Sequence, residues 1–109
     1  MQHIATKTFT VSSGQSASET LSRGSFFDNA SSLCVMSPSS LTSSAFTFQV
    51  SVDGSTWFDL QSGGSDVTIA AGKAVTITPP PVRYLRLSGD QSEGSDRTFN
   101  LSVMVNSGV

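Results

Sequence analysis

Apolar and polar residues alternate with period two along most of this chain, and that alternation leaves few folds open. In Phe46-Thr47-Phe48-Gln49-Val50-Ser51-Val52 the four apolar side chains point one way and the hydroxyl and amide side chains the other, as in a strand with one face on a core. No segment carries the i, i+3, i+4, i+7 apolar spacing of an amphipathic helix over three turns. The spacing therefore predicts an all-β chain.

The other strands follow from the same pattern. Asp53-Gly54-Ser55-Thr56 supplies turn residues before Trp57-Phe58-Asp59-Leu60 returns as the second arm of a hairpin. Val67-Thr68-Ile69 and Ala74-Val75-Thr76-Ile77 flank Ala70 to Lys73, as a second hairpin or as two strands joined at a corner. Pro79-Pro80-Pro81 ends pairing by removing three donors, and Arg83 to Leu87 starts again. Lys7 to Val11, Ser32 to Met36 and Thr98 to Asn106 alternate likewise, while Gln91 to Asp96 reads as an exposed loop. About seven or eight strands between Ser-, Gly- and Pro-rich loops point to an antiparallel β-sandwich or jelly roll, in which two half-apolar sheets bury each other. At 109 residues, 1–109 is expected to form a single domain.

Composition removes several function classes. Charged residues are only 13% of the chain and Ser plus Thr roughly 30%, so the surface is rich in hydroxyls rather than ions. A formal net charge of -2 lacks the basic field that a phosphate-backbone binder needs, so no nucleic-acid partner is expected. No apolar stretch approaches a membrane span, and Met1 to Lys7 lacks an apolar export core, so an unexported start with no membrane partner is expected. Cys34 is alone between Leu33 and Val35 and reads as a small buried hydrophobe.

The search for chemistry yields little. The single histidine, His3, lies at the extreme terminus, where a base oriented by a third group is hard to build. Asp53 is explained by its turn, and Asp90, Glu93 and Asp96 by a loop. No Cys/His cluster has zinc spacing and no calcium-loop motif occurs. No enzyme, cofactor or metal is therefore expected. Trp57, Phe58 and Tyr84 are the aromatic candidates for a sugar-stacking platform, although adjacent Trp57 and Phe58 must point to opposite sides of a strand, which puts at least one of them in the core. Phe26-Phe27, in a loop, is expected to turn one ring outward toward a protein contact. Arg83, Arg86 and Arg97 are expected to pair with Asp59, Asp66 or Asp96.

The run Phe48 to Trp57, followed by Val82-Arg83-Tyr84-Leu85-Arg86-Leu87, resembles the "S-x-D-G-x-x-W … R-Y-L/V-R-L" core of discoidin-like, galactose-binding-like jelly rolls. That resemblance implies a sandwich with Trp57 and the Arg83–Leu87 strand at its centre, and carbohydrate binding as an alternative function.

A wider resemblance is to small structural proteins of tailed bacteriophages and prophages. These share "F-Q-x-S-x-D-G-x-T-W-x-D-L", "R-Y-L-R-L-x-S-G" and "Q-x-x-x-x-D-R-T-x-x-L", which appear here as Phe48 to Leu60, Arg83 to Gly89 and Gln91 to Leu101. The resemblance implies a non-enzymatic virion component, a capsid decoration (cement) protein or a tail-associated relative. Its expected partners are the major capsid protein and further copies of itself, with a trimer favoured. The contact residues expected on that reading are Phe9 on an N-terminal arm, Phe26 and Phe27 on the following loop, and Asp90 and Glu93 on the 90–96 loop.

Overall fold

Two sheets, each apolar on one side only, close on each other and leave their hydroxyl-rich sides to water. The computed structural model describes residues 2–22, 30–78 and 80–106, and Phe26 and Phe27 lie outside them. The described strands are β1 (Gln2–Val11), β2 (Leu21–Ser22), β3 (Ala30–Met36), β4 (Phe46–Ser51), β5 (Phe58–Asp59) and β6 (Gln61–Ser62). They continue with β7 (Ser65–Asp66), β8 (Thr68–Ile69), β9 (Ala74–Ile77), β10 (Tyr84–Gly89) and β11 (Arg97–Asn106). One sheet has the order β1-β11-β3-β9. The other has the order β2-β10-β4-β5, with β8 also paired to β4, and β6 and β7 form a small separate hairpin. All pairings are antiparallel.

Register fixes which side chains meet. β1 and β11 pair over their whole length, from Gln2 opposite Asn106 to Val11 opposite Arg97. That pairing sets Phe9 beside Phe99, with rings stacked at 5.4 Å, and Phe46 of the opposite sheet meets Phe99 edge-on at 5.3 Å. Around this trio Leu33, Val35, Leu101 and Val103 face Phe48, Ile69, Leu85 and Leu87, all essentially withdrawn from solvent. Each such side chain contributes about 1.5–3 kcal/mol by leaving water.

The alternate positions of the four-stranded sheet form its outer face. Thr6, Ser102, Cys34 and Thr76 lie in one cross-strand row, and Thr8, Asn100, Met36 and Ala74 in the next. Ile4 opposite Met104 continues the face at one end.

Several expectations need correction. Cys34 is half-buried on this outer face and not a core residue, because Leu33 and Val35 on either side of it both point inward. Phe9, expected at an interface, is only 2% exposed, so β1 is an integral strand and not an arm. β1 also begins near residue 2 rather than at Lys7. Its inward row continues through Lys7 and Ala5, opposite Leu101 and Val103, where the residue types hide the alternation. The Ala70–Lys73 segment is a corner: β8 belongs to one sheet and β9 to the other. The strand count rises from about seven or eight to eleven because five pieces are only two residues long.

Phe99 touches both other rings of the trio and is fully buried, so Phe99→Ala is expected to destabilise the fold by about 3–5 kcal/mol. Ile4→Ala, at a position 63% exposed, is expected to change stability by less than about 0.5 kcal/mol. Denaturant unfolding of the two variants checks the contrast, and equal losses would contradict this placement of the core.

Candidate functional site

At one end of the sandwich three loops carry the chain from sheet to sheet: 12–20 after β1, 37–45 after β3 and 90–96 before β11. They converge on Glu93, which is 2% exposed. Its Oε1 accepts from the Thr42 N–H at 2.7 Å and from Arg97 Nε at 2.9 Å. Its Oε2 accepts from the Ser43 N–H at 2.9 Å and lies 2.9 Å from Ser43 Oγ. The backbone of Glu93 binds the third loop, accepting from Gly14 N–H at 2.8 Å and donating to Gln15 O at 2.9 Å.

Burial by itself pushes the Glu93 carboxyl up. The N–H groups of Thr42 and Ser43, the Arg97 guanidinium and the Ser43 hydroxyl outweigh that and hold it at about 2, against an ordinary 4.5. The neighbourhood is built to the same plan. Asp96 accepts from Ser13 N–H at 2.7 Å, and Asp90 from Ser44 Oγ at 2.6 Å, a bond that lowers the Asp90 pKa. Gly89 is required here by contact: a Cβ on it would collide with Ser43 Oγ and crowd Phe46 at 3.0 Å.

The 91–96 loop is exposed as expected at five of its six residues and departs from that expectation at Glu93. Glu93 is not an accessible contact residue, because its carboxylate is consumed by the loop clamp. Asp90 is exposed as expected, yet tied to Ser44. Arg97 pairs with Glu93 and not with Asp59, Asp66 or Asp96. A sequence signal for the clamp did exist, in the adjacent hydroxyls of Thr42-Ser43-Ser44 and the spacing of Glu93 and Arg97, but it links positions some fifty residues apart.

The outer face of the five-stranded sheet holds the aromatic candidates. Arg86 lies over the Trp57 ring at 4.3 Å and donates from Nε to Gln49 Oε1 at 2.9 Å, and Gln49 Nε2 donates to Asp59 at 2.9 Å. Tyr84 is on the same side of β10 as Arg86, with its ring against Gly54, which adopts φ 81 in the hairpin turn. In that turn Asp53 accepts from Thr56 and Ser55 N–H at 2.9 and 2.8 Å, which lowers its carboxyl pKa. Phe58 pairs with Val50 and so points to the opposite side of the sheet, where it is 64% exposed at the edge. Trp57, Phe58 and Tyr84 therefore do not form one platform, and the ring expected in the core is absent from it: Trp57 is half-buried and Phe58 exposed. Arg86 takes up a face of the indole, and its partner is Gln49 rather than a carboxylate.

Two shallow grooves lie on the described surface. One, of about 290 Å³, is lined chiefly by Ser44, Thr47, Gln49, Asp59, Ser88 and Asp90. The other, of about 400 Å³, runs between β9 and the β6–β7 hairpin over Leu60, Val67, Val75 and Ile77. Among the described residues no three His, Cys, Asp or Glu side chains gather as a metal-binding group. His3 lies in β1 opposite Val105.

Together the two sheets and the loop clamp define an all-β sandwich with a rigidly tied end. No protein-family model matches the chain, and no curated protein matches it. Solved structures do match in fold. The SPBc2 prophage-derived protein YomS is similar with a TM-score of 0.66 over 95% of this chain and 95% of that one, at 14% identity. A looser likeness, with a TM-score of 0.49 at 11% identity, is to the Yersinia pseudotuberculosis-derived mitogen, covering 100% of this chain and 91% of that chain. At 14% identity the likeness to YomS is one of fold.

The Glu93 clamp has a definite pH signature. Its folded pKa lies below the ordinary value, so its stabilisation is fully present above about pH 4.5 and is lost as pH falls toward about 2. Wild-type protein is expected to lose on the order of 3 kcal/mol over that window from this group. Glu93→Gln should be less stable at neutral pH and lack that part of the acid dependence. Thermal melts from pH 7 to 2 check this, and parallel curves for the two proteins would contradict the clamp.

Proposed function

We propose that this chain is a non-enzymatic structural component of a bacteriophage particle, acting as a decoration (cement) protein that binds the major capsid protein and stabilises the head shell. The observation that carries this reading is the fold shared with a prophage-derived protein over 95% of both chains. The phage-like motifs from Phe48 to Leu60 and from Arg83 to Leu101 support it, since they form the hairpin, the central strand β10 and the clamped loop. The chemistry of the described carboxylates supports it as well. Glu93, Asp53, Asp90 and Asp96 are engaged in turns and loop ties, an arrangement that serves rigidity and not proton transfer.

The mechanism on this reading is burial of many small interfaces. A decoration protein docks in many copies on a repeating lattice, so each contact can be weak while the summed stabilisation of the shell is large. A rigid sandwich with a hydroxyl-rich surface suits that task, because little conformational entropy is lost on docking. The particle is the site of action, reached by assembly in the bacterial host.

Purified protein mixed with heads of the phage whose genome encodes it should co-sediment saturably, at a copy number that is a multiple of the shell symmetry. Heads carrying it should withstand heating better than bare heads. Absence of the chain from mature particles together with no co-sedimentation would overturn the reading.

A further inference from the structure

The outer face of the four-stranded sheet carries no charge. Every charged side chain among the described residues lies elsewhere: Lys7 and Arg97 on inward positions, Arg86 and Asp59 on the other sheet, and the rest in turns, loops or the short β7. Sheet faces turned to water ordinarily carry Lys, Glu or Arg, so a whole face of this kind departs from a solvated surface. It also gathers adaptable apolar groups. Met36, Met104 and Cys34 are half-buried there, Ile4 is 63% exposed, and Thr8 and Asn100 are exposed between them. Depletion of charge with enrichment of Met is the composition found at the centre of protein interfaces.

We infer that this face is a self-association surface, covered by the same face of a second copy in a two-fold pair. Charge selects that occupant. A charged face would meet its own like charges across a two-fold axis, whereas this face brings no described charge against its own image. Hydrogen bonding agrees, because Thr and Ser hydroxyls and the Asn amide both donate and accept, which makes the face complementary to itself.

Size sets the strength: strands of 10, 10, 7 and 4 residues at about 4.8 Å spacing give a face on the order of 500 Å², below the roughly 800 Å² per partner of a standard interface, so the pair is a weak, concentration-dependent one. Lys7 in the edge strand β1 disfavours extension of the sheet edge to edge, so association is closed and face to face. The inference is independent of the virion reading, since it concerns the free protein.

Light scattering on the purified chain, from low micromolar to submillimolar concentration, tests it. Wild type is expected at about twice 11.4 kDa. Asn100→Lys, which buries a charge at the centre of the face, should return to 11.4 kDa with an unchanged circular dichroism spectrum, while Thr47→Lys on the outer face of the other sheet should remain paired. Maleimide labelling of Cys34 in wild type provides a second readout that needs no variant: it should slow at least about tenfold as concentration carries the protein from monomer to pair. A wild type that stays at 11.4 kDa, an Asn100→Lys protein that folds and keeps the wild-type mass, or Cys34 labelling independent of concentration would each overturn the inference.

Discussion

One buried carboxylate holds the crossing end of this sandwich together. Loops 12–20, 37–45 and 90–96 are all passages from one sheet to the other, and each is bound either to the Glu93 carboxylate or to its backbone. The Ala70–Lys73 corner, a fourth passage, is attached next to them by Gly72 N–H to Pro38 O at 2.8 Å and Ser37 N–H to Lys73 O at 2.9 Å. Isolated burial of a carboxylate is costly, and here two backbone N–H groups, a hydroxyl and a guanidinium on the same site reverse the sign. The apolar faces supply most of the stabilisation, but apolar contacts are non-directional, and the clamp specifies how the two sheets are joined.

The period-two pattern made the inward rows of β4, β10 and β11 legible because Phe46, Phe48, Leu85, Leu87, Phe99, Leu101 and Val103 alternate with polar neighbours without interruption. It failed where residue type and position part company. Lys7 and the small Ala5 occupy inward register positions in β1, so the first half of that strand does not look amphipathic. The apolar neighbours of Cys34 suggest burial, yet inward residues on either side of it require it to face out. The partners of Phe9 and Glu93 lie ninety and fifty residues away, and periodicity carries no information about such pairings, so their burial is not legible in the pattern.

The outer faces of the two sheets differ in kind. The five-stranded sheet presents an ordered polar chain of Arg86, Gln49 and Asp59 laid against Trp57, a surface whose charges are already engaged with neighbours. The outer face of the four-stranded sheet presents neutral hydroxyl, amide, thiol and thioether groups, and no charged side chain among the described residues lies on it. The likeness to the prophage-derived protein YomS, at 14% identity, is one of fold, and the chemistry is set by this chain's own surface residues.

The most direct test of the clamp is the titration of the Glu93 carboxyl carbon by NMR in the folded protein. It should remain ionised well below 4.5 and titrate at about 2, with the amide signals of Thr42, Ser43 and Gly14 shifting at the same pH. A midpoint near 4.5 that leaves those amides unmoved would show that the three loops are not joined through this carboxylate.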